Sequence, residues 1–388
     1  MNNKEVLIIT NYFPPESGAA SNRIYSMVKG FTENNYKATV VCPFPNYPDG
    51  KIFKAYRTSF FKKTEEPFGN IFRLWIWPTR SKNKFVRLFS MISFSFSLIL
   101  FLLFIKTPKK VIIQYSPVFV GFTAVFWTKI LRKKIILNVS DLWPLAGLEM
   151  GILKKGLYYT VLSKMEHFCY KNAQLILGQS EEILSHITKL KLNKPLFLYR
   201  NYPDFKSPKL ENTNTDNEIK IVYAGLLGVA QGLFKICSEI SFSDNVSLHI
   251  YGSGPETEHI KSLNKPNIYY YGSIEREKLH KELIKYDIGF VPLINRIYGS
   301  VPSKIFELSR LGLPILYFAG GEGGDIVINN DLGWNIPVTD YKKLQSFIDL
   351  LSQEKLNGFS KEKIQLQSNT YFTLKTQFDE LIKNFECF

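Results

Sequence analysis

The stretch VPSKIFELSRLGLPIL, residues 301–316, sets an acid inside what otherwise reads as core. The run reads as a short helix that ends at Gly312 and feeds a strand starting near Leu313. With a helix start at about Ser303, the residues Lys304, Glu307 and Arg310 fall three apart on one face. Two readings of Glu307 follow. One is an i,i+3 ion pair, worth only about 0.2–0.5 kcal/mol. The other puts Lys304 near a helix start, where anions gather, with Glu307 accepting hydrogen bonds from a ligand's hydroxyls. A ribose 2′,3′-diol suits a carboxylate, which offers two oxygens to two donors. On the residues alone both readings stay open.

Outward from this stretch the chain alternates short apolar runs with helix-length segments. EVLIIT (5–10), KATVVC (37–42), VIIQY (111–115) and KIILNV (134–139) read as buried strands of a parallel sheet. NIFRLWIW (70–77) and QLILGQS (174–180) are further candidates, with helices over 20–34 and 155–172. After a polar loop at 206–218 the alternation restarts, with strands IKIVYAG (219–225), VSLHIYGSG (246–254), NIYYYGS (267–273), DIGFVPL (287–293) and LPILYF (313–318). The fold class is α/β, with two Rossmann-like doubly wound domains facing across a cleft. The boundaries are 1–203 and 204–369, and an amphipathic C-terminal stretch, 370–388, packs back on the first domain. The length of 388 residues fits two cores better than one.

The formal net charge of +15 calls for an anionic partner: nucleic acid, a phosphorylated ligand or an acidic membrane. No basic stripe interleaved with stacking aromatics is present, so nucleic acid is not expected. Cys42, Cys169, Cys237 and Cys387 are scattered, without metal-ligand or disulfide-framework spacing. MNNKEVLIIT lacks the apolar core of a signal peptide, so a cytoplasmic protein is expected. Residues 88–105, LFSMISFSFSLILFLLFI, carry no charge and lie between Arg87 and Lys106. Spanning a bilayer there would cut one parallel sheet in two. What remains is a helix buried on the sheet, a helix dipping into a membrane interface, or both at once. The basic cluster KNKFVR (82–87) with Lys109 and Lys110 favours an anionic surface.

Several strand exits are suited to phosphate. TNYFPPESGAASNR (10–23) has small residues at Ser17, Gly18, Ala19 and Ala20 where a helix opens, but it is neither a dinucleotide fingerprint nor a Walker A loop. YAGLLGVAQGL (223–233) brings Gly225 and Gly228, YGSGPE (251–256) brings Gly252 and Gly254, and FAGGEGGDI (318–326) brings Glu322 and Asp325. Asp141 follows a strand directly in NVSDLWPLAG (138–147), which suits either a cleft-facing acid or a helix cap. There is no Asp-x-Asp, so no dedicated divalent-metal site is expected.

The 301–316 stretch resembles the nucleotide-sugar signature of the retaining glycosyltransferases of family 4, which have the GT-B fold. TNYFPPESGAASNR, SDLWPLAGLEMG and YAGLLGVAQGL look like the same family, in order from residue 5 to about 340, with FLYRNYPD (197–204) at the domain junction. The similarity is greatest to members that build bacterial O-antigens and capsules, including N-acetyl-L-fucosamine transferases. The resemblance implies a metal-independent transferase that takes a UDP-sugar and glycosylates a polyprenyl-diphosphate-linked acceptor at the anionic inner face of the cell membrane. A nucleotide-sugar epimerase on the same fold is the alternative. It assigns Glu307 to the donor ribose, as the second acid of the family's Glu, seven residues, Glu motif; the first falls at Gly299. Donor-side candidates are Glu307, Lys304, Ser303, Gly225, Gly228, Gly252, Gly254 and Glu322. For the diphosphate cation Lys304 is preferred over Arg296 and Lys235. Asp141 and Glu16 are the candidate catalytic acids, and Ser17, Gly18 and Arg23 the acceptor or diphosphate loop.

Overall fold

The computed structural model describes residues 4–16, 18–47, 49–57, 59–81, 83–210, 218–338 and 340–388. The chain clusters into two compact units. The first holds the residues up to Asn201 together with Tyr298–Ser300 and Gln377–Phe388; the second holds Tyr202–Ile297 and Val301–Thr376. Of the expected loop 206–218, residues 211–217 lie outside the described residues.

The first unit runs β1 (Glu5–Ile9), α1 (Ala19–Glu33), β2 (Lys37–Pro43), β3 (Phe61–Glu66), β4 (Gly69–Leu74), α2 (Lys84–Phe104), β5 (Lys110–Gln114), α3 (Val118–Ile130), β6 (Lys134–Val139), α4 (Leu145–Glu149), α5 (Leu157–Asn172), β7 (Leu175–Gly178), α6 (Glu181–Lys189) and β8 (Leu196–Leu198). Its sheet has the order β3-β4-β2-β1-β5-β6-β7-β8. The central strands are continuous Val, Ile and Leu runs because helices cover both faces. Right-handed crossovers put α1 on one face and α2, α3 and α5 on the other, where α2 packs on α3 and α3 on α5.

The second unit runs β9 (Ile219–Ala224), α7 (Leu233–Glu239), β10 (Val246–Tyr251), α8 (Thr257–Ser262), β11 (Ile268–Gly272), α9 (Arg276–Leu283), β12 (Ile288–Pro292), α10 (Lys304–Arg310), β13 (Ile315–Phe318), α11 (Glu322–Asn329), β14 (Gly333–Ile336), α12 (Tyr341–Asp349), α13 (Gln353–Asn357) and α14 (Lys361–Tyr371). All its strands are parallel, in the order β11-β10-β9-β12-β13-β14. The last helix, α15 (Leu374–Glu386), sets Phe378 and Phe385 edge-on against Phe31 of α1, each 4.9 Å from it. The expected continuous helix over 370–388 is thus two helices that break at Phe372–Thr373.

Three strands escaped the sequence reading. β3, FKKTEE, is polar because it is an antiparallel edge with little to bury, pairing Phe61 with Leu74. It makes this sheet mixed rather than wholly parallel. β8 and β14 have three and four residues, too few for a visible period. The uncharged 88–105 segment belongs to α2, which starts earlier, at Lys84. α2 joins β4 to β5 of one sheet, so it does not cross a bilayer. Among the described residues no helix is long and apolar enough to do so. Its inner side, with Phe94, Leu98, Phe101 and Leu102, lies in the core.

Candidate functional site

In an open α/β sheet the crevice forms where neighbouring strands send their crossovers to opposite faces. In the second unit that point lies between β9 and β12. The loop after β9 carries Gly225 and Gly228, and it is bonded to the loop after β10. Gly225 N donates to Tyr251 O at 3.0 Å, and Leu227 N to Ser253 O at 3.0 Å. A Cβ on Gly252 would overlap the Gly225 carbonyl, and one on Gly254 would overlap that of Leu227. These glycines therefore let the two loops lie backbone against backbone, as one rigid cradle. Gly252 also has φ +138°, which disfavours any other residue.

α10 carries the acid. It ends in a Schellman motif: Gly312 has φ +79°, its N–H reaches Ser309 O, and Leu313 N reaches Leu308 O. Ile305, Phe306 and Leu308 are core residues, which fixes the helix and turns Glu307 inward with them. Glu307 is only 7% exposed. Lys304 Nζ lies 2.9 Å from its Oε2, and His280 Nε2 lies 2.9 Å from its Oε1. The i,i+3 pair is real, then, but it is half of the arrangement. His280 was not foreseen. Its ring lies tilted against Phe205, with centroids 4.2 Å apart, and Arg310 also lies over Phe205 while donating to Pro203 O. No local signal ties α9 to α10, since the contact spans 27 residues. Ser303 occupies the N-cap position, though its hydroxyl does not cap.

Glu322 opens α11 and is 8% exposed, whereas Asp325 is exposed. The Arg296 guanidinium lies against Gly321, which precedes that helix, so a Cβ there would overlap it. Lys235, by contrast, is exposed on α7 over the Tyr341 ring. Among the described residues, no group of three or more His, Cys, Asp or Glu is placed to hold a metal ion.

In the first unit the switch point lies between β1 and β5. There a cavity of about 330 Å³ is walled by Tyr12, Pro117, Phe119, Trp143 and Tyr158, with Asp141 on its lining. A chain of hydrogen bonds leads away from Asp141 into the protein. Ser140 Oγ donates to Asp141 Oδ2 at 3.3 Å, Gln114 Nε2 to Ser140 Oγ at 2.8 Å, and Asn138 Nδ2 to Gln114 Oε1 at 2.5 Å. Arg23 closes the chain. It donates to Asn138 Oδ1 at 2.8 Å and to Gln179 Oε1 at 3.3 Å, and it lies over the Tyr199 ring. Burial pulls the Arg23 pKa down to about 10, opposed by Tyr199 and Asp141, so it stays charged near neutrality. Burial raises the Asp141 pKa, against the Ser140 hydrogen bond and the Arg23 charge. Asp141 is exposed to solvent while it lines the cavity.

The rest of the predicted first-unit set divides. Ser17 lies outside the described residues, as does Lys82 of the basic cluster. Gly18 is the exposed N-cap of α1, with φ +145°. Arg23, expected on the anion-binding loop, is instead 3% exposed and held by the side chains just named. Glu16, a candidate catalytic acid, is held by backbone amides. It is 3% exposed and accepts from the amides of Asn46, Tyr47 and Phe13, at 2.8, 2.9 and 3.4 Å. Burial raises its pKa and those amides oppose the rise. Such a carboxylate ties two loops together and has little capacity left for a substrate proton. Gly299 has φ +85°, and a Cβ there would crowd Ile183. Its carbonyl accepts from Ser180 Oγ and its N–H donates to Glu182. The backbone geometry accounts for a glycine where the resemblance expects an acid.

Residues 219–353 match the family described as Glycosyl transferases group 1. Over nearly its whole length the chain is similar to sucrose-phosphate synthase from Thermosynechococcus elongatus, with a TM-score of 0.74 and 12% identity, covering 99% of this chain and 98% of that one. It is similar to HepE from Anabaena, solved with UDP-glucose, with a TM-score of 0.66 and 10% identity over 99% and 100% of the two chains. It is also similar to an E. coli protein solved with UDP-2-fluoro glucose and titled trehalose-6-phosphate, with a TM-score of 0.69 and 9% identity over 98% of each. No curated protein sequence matches the chain. The fold is GT-B, with two α/β units built on largely parallel sheets. By the domain at 219–353 the chain is a glycosyltransferase.

Proposed function

We propose that the protein is a retaining glycosyltransferase that moves a sugar from a UDP-sugar to a lipid-linked saccharide during bacterial O-antigen or capsule synthesis. The sugar is of the N-acetylated amino or deoxyamino type. The reading rests first on Glu307. It is a buried carboxylate with a cation on one oxygen and an imidazole on the other, set in the unit that matches the glycosyltransferase family. A carboxylate offers two oxygens, which suits the two hydroxyls of a ribose. The UDP-sugars bound in HepE and the E. coli protein support a uridine nucleotide as donor.

In this mechanism the acceptor hydroxyl attacks the anomeric carbon and the UDP diphosphate leaves from the same face. Charge developing on the diphosphate is met by the amides of the Gly225–Gly228 and Gly252–Gly254 cradle and by a cation. Lys304, beside Glu307, and Arg296, against Gly321 before the start of α11, are the cations at hand in this unit. Asp141 accepts the acceptor's proton from within its partly apolar cavity. That cavity suits a lipid-linked sugar, and the protein works peripherally at the inner face of the cell membrane.

The test is a panel of UDP-sugars read by UDP release, with and without a polyprenyl-diphosphate saccharide. Glycosylated lipid is expected, formed with one donor and lost in Glu307→Ala. An epimerised sugar nucleotide without lipid product would replace this reading with the epimerase, which the glycosyltransferase match does not favour.

A further inference from the structure

The charge of this chain is unevenly distributed. Residues 67–140 contain no Asp or Glu and twelve Lys or Arg, which is most of the formal excess of +15. This acid-free run holds α2 and α3, and α5 follows it with one acid, Glu166, which is buried.

The same helices expose apolar side chains that nothing in the first unit covers. On α2 these are Phe85, Phe89, Ile92, Phe96, Leu100 and Leu103, spaced by three or four residues and therefore on one face. Phe85 is 80% exposed and Phe96 58%. The stripe is about 27 Å long at 1.5 Å per residue. Phe126 and Ile130 extend it across α3, and Leu157 and Val161 across α5. Beside it an apolar groove of about 460 Å³ runs between α2 and the β3–β4 edge, walled by Phe60, Phe61, Trp75, Phe96 and Phe104. Monomeric proteins rarely expose so continuous a patch without a partner for it. Exposed cations bracket the patch. Lys106, Lys109, Lys129 and Arg132 stand where α2 and α3 end, and Lys154 and Lys155 before α5 begins. Other basic residues of the run are used internally: Lys110 donates to Phe385 O, and Lys133 to Thr107 O and Pro108 O.

We propose that the outer surface of α2, α3 and α5 is a docking face for an anionic lipid bilayer, with α2 lying in the plane of the membrane. Phenylalanines and leucines enter the acyl boundary, the groove takes one lipid chain, and the bracketing cations meet phosphate headgroups. A second copy of this chain is a poorer occupant, because pairing two such faces would bring like charges together. The inference rests on the membrane-side acceptor proposed above for its purpose, while its evidence is the surface itself. Met91 of α2 and Tyr158 of α5 also line the Asp141 cavity, so docking would hold that cavity at headgroup level.

The experiment is vesicle co-sedimentation of the full chain, without donor or acceptor. Vesicles are phosphatidylcholine alone, or about three parts phosphatidylcholine to one of phosphatidylglycerol. Binding to the anionic vesicles is expected, falling severalfold when salt rises from about 0.1 to 1 M. The triple variant Phe85→Ser, Phe96→Ser, Phe104→Ser should lose about tenfold or more in partitioning. Lys106→Glu with Lys129→Glu should lose the preference for anionic lipid. Leu350→Ser with Leu366→Ser, exposed apolar residues of the second unit, should bind as the parent does. The variants change exposed side chains, and an unchanged melting temperature checks their folding. Three results would overturn the proposal: no binding to either vesicle, equal binding by the triple variant, or a parent dimer that the triple variant converts to monomer. Docking without sugar transfer would remove the enzymatic reading and leave the surface standing; transfer without docking would do the reverse.

Discussion

The two sheet edges assemble their polar groups over very different distances in sequence. In the second unit Glu307 finds Lys304 three residues away and His280 twenty-seven away, and the glycine loops bond between neighbouring strands. In the first unit Arg23 reaches Asn138 across 115 residues and Gln179 across 156. One edge is a local device of backbone and one helix turn. The other is a side-chain network drawn from α1, β5, β6 and the loop after β7. Local devices survive as motifs, and networks do not.

The largest effect tests the local edge. Glu307→Ala should reduce kcat/KM for UDP-sugar by about a thousandfold, since two charge-assisted hydrogen bonds are worth roughly 1.5–3 kcal/mol each. Calorimetry should show the same loss in UDP binding. Undiminished UDP affinity would mean that His280, Lys304 and Glu307 are only a structural cluster. Next in size is Gly252→Ala. Its Cβ overlaps the Gly225 carbonyl and its φ is unfavourable, so unfolding free energy should fall by about 3 kcal/mol. Donor KM should rise as well, because the cradle is sprung. A normal KM in the folded fraction would separate the loops from the donor.

This contrast also explains what the sequence conveyed. Most strands of both sheets were legible, because strands covered on both faces must be apolar along their length. β3 was invisible because an edge strand has no such demand, and β8 and β14 because they are too short. Glu307 and the glycine loops were legible as motifs, though Gly252 and Gly254 prove to be needed for loop packing. Glu16 and Arg23 were read as a catalytic acid and a loop cation; their burial could not be read locally, because several of their partners lie in distant segments. His280 gave no signal because a lone histidine on a polar helix resembles any surface residue. The phenylalanines of α2 could be read as core or as interface; the helix has one face in the core and one exposed apolar face.

A smaller effect concerns a buried acid away from either edge. Glu166 of α5 accepts from Tyr170 Oη at 2.8 Å among Tyr115 and Cys169, and burial pushes its pKa up to about 7. The folded state therefore holds a proton that the unfolded state, near 4.5, gives up. Stability from this group is fully present below about pH 4.5 and declines as pH rises through about 7. Glu166→Gln should abolish that slope and raise stability above pH 7 by up to about 3 kcal/mol. Parallel melting curves for parent and variant across that window would show that the carboxylate is solvated in solution.

The smallest effect tests the network edge. If Arg23 acts on Asp141 through Asn138, Gln114 and Ser140, its charge holds the Asp141 pKa down against burial. Arg23→Gln keeps a donor for Asn138 and removes the charge. The Asp141 pKa should then rise, and the acid limb of the kcat/KM profile should move to higher pH. At a pH on that limb the rate should fall by about tenfold, one pKa unit being 1.36 kcal/mol. Loss of folded protein would lower the whole profile without moving its limb. Asp141→Asn should remove the limb in either background, so the double variant should be no worse than Asp141→Asn alone. An unmoved limb in Arg23→Gln would make the buried arginine a packing element, and the two edges would then differ in kind rather than only in reach.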